Sequence, residues 1–190
     1  MDEDLKLEID AAVKVLKDGG VILYPTDTIW GLGCDATNED AVKRIFDIKQ
    51  RADSKSLITL VSGVEMLERY VEEVPEMAYT LVDVNDKPMT IIYPKGVGLA
   101  PNVVAEDGSA AIRIPMSQFC IELIKRFEKP IVSTSANISG DEPAIDFEDV
   151  NAEIIDCVDW MADPMFDEEA TGEASQIIKL GLTGEVQVIR

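Results

Sequence analysis

Val21-Ile22-Leu23-Tyr24-Pro25-Thr26-Asp27-Thr28-Ile29-Trp30-Gly31-Leu32-Gly33 is the stretch on which the fold turns. Its first four residues are apolar without alternation, the pattern of a short strand buried on both faces, and Pro25 stops it. A strand covered on both sides belongs to a sheet with helices packed over it. Thr26 to Gly33 then delivers two hydroxyls and a tight glycine turn beyond the strand end, where ligands sit in open α/β sheets. Read on its residues alone, this segment is equally a well-capped loop.

Upstream, Leu5, Ile9, Ala12, Val13 and Leu16 fall at helical spacing, and Asp18-Gly19-Gly20 ends the helix near Lys17. Downstream, Asn38 is placed to cap a second helix carrying Ala41, Val42, Ile45 and Phe46, with Glu39 and Asp40 suiting its N-terminus. Strands are expected at Leu57–Val61, Met89–Tyr93, Ala110–Ile114 and Pro130–Val132, and near Val158–Met161, Gln176–Leu180 and Val186–Ile189. Helices are expected at Val64–Tyr70, Pro75–Val84 and Phe127 back to a Ser117 cap, and near Phe147–Asp156. Pro94 to Ser109 is a Gly/Pro-rich loop long enough to carry function. The interleaving predicts one α/β domain over residues 1–190, a twisted mixed sheet with flanking helices.

Composition narrows the chemistry. At 190 residues, 46% hydrophobic and 28% charged, the chain can bury a real core. No apolar run approaches the ~18 residues of a membrane span, and Met1-Asp2-Glu3-Asp4 is not the basic start of a secretory signal, so a cytoplasmic protein without membrane contact is expected. Cys34, Cys120 and Cys157 show no zinc or redox spacing and read as buried structural thiols. Histidine is absent, which removes Ser-His-Asp and Cys-His mechanisms and histidine-ligated metals. A net charge of −20 repels nucleic acid unless cations are gathered. Lys43, Arg44, Lys49, Arg51 and Lys55 are so gathered, whereas no Lys or Arg occurs from Pro130 to Ile178, an acidic stretch that reads as a solvated face.

Three segments could carry chemistry without any standard phosphate loop. Gly31-Leu32-Gly33 lacks the third glycine of a dinucleotide motif, and no lysine-bearing P-loop occurs. In Lys49-Gln50-Arg51-Ala52-Asp53-Ser54-Lys55, an extended backbone would point Lys49 and Arg51 the same way, fit to clamp a polyphosphate. The competing reading is a set of cations at a helix C-terminus. Ser133-Thr134-Ser135-Ala136-Asn137-Ile138-Ser139-Gly140 follows a strand and concentrates hydroxyls and an amide, as a plain Ser/Thr turn also would. Arg113, at the end of another strand, needs an anionic partner, either a core carboxylate or a substrate.

Taken in this order, the three segments resemble the Sua5/YrdC/YciO family over nearly the whole chain. The resemblance implies a YrdC-like fold with a large concave cavity. It also implies an enzyme, a nucleotidyltransferase that joins L-threonine, bicarbonate and ATP into threonylcarbamoyl-adenylate and releases pyrophosphate. Magnesium is expected on the phosphates, and a tRNA threonylcarbamoyl transferase complex downstream would use the product on tRNA, which the protein itself could also contact. It implies Thr28, Arg113 and Ser133 as threonine contacts. Lys49, Arg51, Ser135 and Asn137 are implied as the catalytic set. Arg51, Lys55, Ser109, Ser135 and Arg190 are implied as nucleotide contacts. No metal-ligating residue is expected. Departures from the family pattern are Ala52 and Ser56 for prolines, Leu60 where some members have histidine, and Val84 to Pro88 in place of Trp-Pro-Gly-Pro. The alternatives are a double-stranded RNA or tRNA-binding module and a YciO-like protein without synthase activity.

Overall fold

Helix α1 (Glu3–Lys17) buries Ile9, Ala12, Val13 and Leu16 on one face, the stripe its sequence carries. Glu3 and Asp4 in its first turn and Lys14 and Lys17 in its last match the helix dipole. The amides of Gly19 and Gly20 close the free carbonyls of Leu16 and Val15, and Gly19, at φ +78°, occupies a left-handed position that glycine adopts without a Cβ penalty. The chain is seen in a computed structural model that describes residues 2–50, 57–167 and 170–190.

Strand β1 (Ile22–Tyr24) follows and is fully buried, as the unbroken apolar run requires. Its antiparallel partner is β2 (Gly31–Gly33), with Leu23 opposite Leu32. The expected tight turn at Gly31-Leu32-Gly33 is therefore a strand, and the chain reverses at Pro25–Trp30 instead. The physical reason is crowding: a Cβ on Gly33 would lie 2.7 Å from Tyr24 Cε1 and 2.9 Å from the Val132 carbonyl oxygen. Glycine here serves close packing between strands, which propensity does not reveal.

Helix α2 (Glu39–Ile48) begins where Asn38 Oδ1 accepts the amides of Asp40 and Ala41 at 3.1 and 3.2 Å. After it come β3 (Ile58–Leu60), α3 (Val64–Tyr70), α4 (Glu76–Val84), β4 (Met89–Tyr93) and β5 (Ala110–Arg113). Helix α5 (Gln118–Phe127) is capped by the Ser117 hydroxyl and packs against α1. Strand β6 (Ile131–Ser135) leads to α6 (Ala152–Ile155), β7 (Trp160–Met161), β8 (Gln176–Leu180) and β9 (Val186–Val188).

The strands form one twisted mixed sheet in the order β7-β1-β2-β6-β3-β5-β4-β8-β9. Strand β6 joins its halves: Thr134 and Ser135 pair with β2, while Ile131 to Ser133 pair with β3. It thus runs beyond Val132, and Ser133 lies in a strand rather than in the expected loop, because two neighbours offer it ladder bonds on both edges. The helix expected near Phe147–Asp156 is divided into a 3-10 turn at Phe147–Asp149 and α6, since Asn151 caps Glu153 and starts a new helix. Cys34 and Cys120 are buried, but Cys157, just past this short surface helix, is exposed. Among the described residues no helix is long and apolar enough to cross a membrane.

Candidate active site

Sheet register builds the floor of a cleft of about 360 Å³. Ser133 pairs with Ile58, Ile58 with Ala111, and Ala111 with Ile92, so these four stand in one row across β6, β3, β5 and β4, and all line the cleft. Side chains two residues along a strand share its face. The next row therefore brings Arg113, opposite Leu60 and Thr90, and Ile177 of β8 onto the same side. Thr26, Thr28 and Gly31 close one end of the cleft, and Ser175 and Arg190 lie at another part of its rim.

Arg113 is 3% exposed and is the cation at the bottom of this space. Its Nη2 lies 3.3 Å from Asp27 Oδ1, an ion pair off hydrogen-bond geometry, so that Oδ1 accepts no hydrogen bond. Asp27 Oδ2 accepts the Met116 amide at 3.1 Å. Arg113 Nη1 donates to Thr28 Oγ1 at 3.2 Å, and Thr28 Oγ1 lies 2.8 Å from Thr26 Oγ1. Arg113 Nε has no acceptor, a buried donor left open beside the cleft. The anionic partner required on sequence grounds is thus a core carboxylate, and the Nε–H remains unsatisfied. The Tyr24 phenol, which donates to the Val132 carbonyl at 3.5 Å, is pushed up by burial, with nearby Cys120 adding to the shift and Ser133 opposing it.

Lys49 does not lie in an extended segment. It caps the end of α2 in helical conformation, at φ −78° and ψ −4°, and is 2% exposed. Its Nζ donates to the Ser135 carbonyl, to the Asn137 carbonyl at 2.7 Å and to Asn137 Oδ1 at 3.3 Å. The helix end turns the amine toward the Ser135–Asn137 loop. Arg51 and Lys55 lie outside the described residues.

Of the residues singled out from the sequence, Thr28, Arg113, Ser133, Ser135 and Arg190 line the cleft. Lys49 and Asn137 stand behind its wall. Ser109 precedes β5 in register with Ala111, but its hydroxyl and amide bind Asp107, and with the Lys179 amine they hold that carboxyl down to about 2. Arg190 Nε donates to the Ser175 carbonyl at 3.1 Å, and the Arg190 carbonyl accepts the Ile177 amide at 3.0 Å. Ser175 itself was not legible: it is 3% exposed, lines the cleft and shares a 2.8 Å hydroxyl contact with Thr90. The clue lay in its place directly before strand β8, at a strand end.

Trp30 forms part of the wall, its ring tilted at 57° against that of Phe147 with centroids 5.1 Å apart, and its indole N–H donates to Asp167 Oδ2 at 2.6 Å. Burial raises the Asp167 carboxyl above its ordinary value, outweighing the indole N–H, and Asp146 adds to the rise. The fold therefore disfavours the ionised form, and the penalty present at neutral pH begins to be relieved as pH falls through the folded value and is gone below the ordinary aspartate value. Trp30 and Trp160 are the two tryptophans. In a Trp160→Phe background, acid titration should shift the Trp30 emission with a midpoint above the ordinary aspartate value. Asp167→Asn, which keeps an acceptor for the indole, should abolish that shift and be no less stable at neutral pH. A midpoint at or below the ordinary value would contradict the burial argument.

Comparison with known proteins places this arrangement. The family model Sua5_yciO_yrdC, described as "Telomere recombination", matches residues 14–190. The threonylcarbamoyl-AMP synthase of Stenotrophomonas maltophilia is 35% identical over 161 residues, 83% of this chain and 87% of the relative. That of Hahella chejuensis is 39% identical over 137 residues, 72% of this chain and 74% of the relative. Among solved structures, P. abyssi Sua5 complexed with L-threonine superposes with a TM-score of 0.87 at 30% identity, over 96% of this chain and 53% of that one. The chain thus spans about half the length of P. abyssi Sua5. E. coli YciO superposes with a TM-score of 0.79 at 25% identity, over 98% and 89% of the two chains.

Proposed function

The chain belongs to the Sua5/YciO/YrdC family, and from that premise we propose that it forms threonylcarbamoyl-AMP and pyrophosphate from L-threonine, bicarbonate and ATP. It is a nucleotidyltransferase working in the cytoplasm, and its product feeds N6-threonylcarbamoylation of tRNA by a downstream transferase complex. The observation that carries the reading is Arg113: a buried guanidinium in the lining of the cleft, braced by Asp27 and Thr28, whose Nε has no acceptor. Such a site suits a small carboxylate held by a charge-assisted hydrogen bond.

The reaction has two steps. The threonine amine attacks bicarbonate carbon, water leaves, and a carbamate forms. A carbamate oxygen then attacks the α-phosphorus of ATP, and the bond to the bridging oxygen of pyrophosphate breaks. No protein nucleophile is needed; catalysis consists of holding two anions together and offsetting their charge. Arg113 anchors the threonine carboxylate, with Thr28 and Ser133 beside it. Ser135 and Asn137 border the nucleotide, Arg51, Lys55 and Arg190 offset its phosphates, and Ser109 stands at the outer end of the same strand face. Magnesium would accompany ATP as its counter-ion, part of the substrate.

The test is pyrophosphate release from purified protein with ATP, magnesium, bicarbonate and L-threonine, with serine as the control. Release that requires both threonine and bicarbonate is expected. No release under conditions where a known synthase turns over would remove the reading and leave a YciO-like protein.

A further inference from the structure

Lys49 is one of the two cations that the sequence reads together as a polyphosphate clamp, yet its amine faces peptide carbonyls. We propose that Lys49 is a positioning residue, which fixes the Ser133–Ser139 stretch from behind and does not itself touch phosphate. The proposal rests on the synthase reading for what that stretch binds.

Lys49 holds the stretch at Ser135, Asn137 and Ser139. Its ammonium donates to the Ser135 and Asn137 carbonyls and lies 3.3 Å from Asn137 Oδ1 and 3.4 Å from Ser135 Oγ. Its own carbonyl accepts the Ser139 amide at 2.9 Å. Its backbone is anchored in turn, since the Lys49 amide donates to Ile45 at the end of α2. The rigid helix thus holds the loop through one residue. Asn137, oriented by the same amine, extends the hold by donating its side-chain amide to the Ile138 carbonyl at 3.1 Å and the Asp141 carbonyl at 2.8 Å.

The alternative would have Lys49 swing its amine into the cleft. An ammonium carries three donors, and here they meet carbonyls in a site 2% exposed. Leaving would take the ammonium from the Asn137 carbonyl and leave the Ser135 carbonyl with the Asn137 amide alone, and each such loss is unfavourable. Ser135, whose carbonyl Lys49 holds, lines the cleft together with Ser133, two residues earlier on the same face of β6, and Lys49 is not among the lining residues. Its influence therefore reaches threonine-side and nucleotide-side groups together. A phosphate ligand would influence the nucleotide alone.

That difference can be measured without turnover. L-threonine binding in the absence of nucleotide is measured by calorimetry for the parent and for Lys49→Met, and amide hydrogen exchange is followed in both. Lys49→Met is expected to weaken threonine binding by about tenfold or more. The Asn137 and Ser139 amides should exchange faster while protection in α1 is kept. Unchanged threonine affinity with unchanged loop exchange, accompanied by loss of ATP affinity alone, would overturn the proposal. Should Lys49→Met fail to fold, Lys49→Gln, which retains two donors, is measured with the same readouts and the same expected directions. The exchange result needs no ligand. A parent protein that binds no threonine would therefore sink the synthase reading, while the fastening of the loop would still be judged on its own.

Discussion

Arg113→Met is expected to lower kcat/KM for L-threonine by about a hundredfold or more, the order of losing a buried charge-assisted bond worth about 3 kcal/mol. Two effects overlap in that variant. The substrate carboxylate loses its cation, and Asp27, itself 2% exposed, is left without its ion-pair partner. Breaking a buried pair by removing one member typically destabilises by about 3–5 kcal/mol. A second substitution separates the effects. Asp27→Asn combined with Arg113→Met removes both charges and keeps an acceptor for the Met116 amide. The double variant should regain much of the lost stability and none of the lost threonine turnover. Recovery of turnover along with stability would mean that Arg113 serves the core and that threonine is held elsewhere. Arg113→Lys should fall between, since an ammonium supplies charge but not the guanidinium fork that spans Asp27 and Thr28.

The Arg113 argument also indicates how far the sequence can be read. A strand-borne arginine announces a buried cation, because burial without a partner is prohibitively unfavourable. Its chemistry was therefore legible while its partner, Asp27, was not. The two are far apart in the chain and meet only because β5 and the turn after β1 come together. Local signals were reliable for the same reason. Asn38 and Ser117 cap their helices through bonds spanning two or three residues, and Val21–Tyr24 is buried because its own side chains are apolar. What escaped reading depends on register. Ser175 matters because β8 pairs parallel to β4 and sets it beside Thr90. Lys49 was read either in an extended segment or at a helix C-terminus; the helix runs to it, as in the second reading, but where its amine points was not legible. Spacing reports which face a residue shares with its neighbours in sequence, not which distant strand receives that face.

Gly31 and Gly33 of β2 put this distinction to a quantitative test, because identical substitutions two residues apart should fail in opposite ways. A methyl on Gly33 would come within 2.7 Å of Tyr24 Cε1 and 2.9 Å of the Val132 carbonyl. Tyr24 is fully buried and cannot swing aside, and the Val132 oxygen belongs to the backbone. Gly33→Ala should therefore destabilise by about 3 kcal/mol through overpacking. For a chain of this size that corresponds to a fall in Tm of about 10 °C. A methyl on Gly31 meets the Thr134 carbonyl at 3.4 Å and Ser133 Oγ at 3.5 Å, ordinary contact distances, and points where the cleft begins. Gly31→Ala should keep the parent Tm within a few degrees and instead weaken threonine binding by filling cleft space beside Ser133. If Gly31→Ala bound threonine unchanged, threonine would not approach β2, and the Thr28 and Ser133 assignments would both have to be abandoned. If Gly33→Ala were as stable as the parent, the close packing of β2 against Tyr24 would not be what makes this glycine pair a strand.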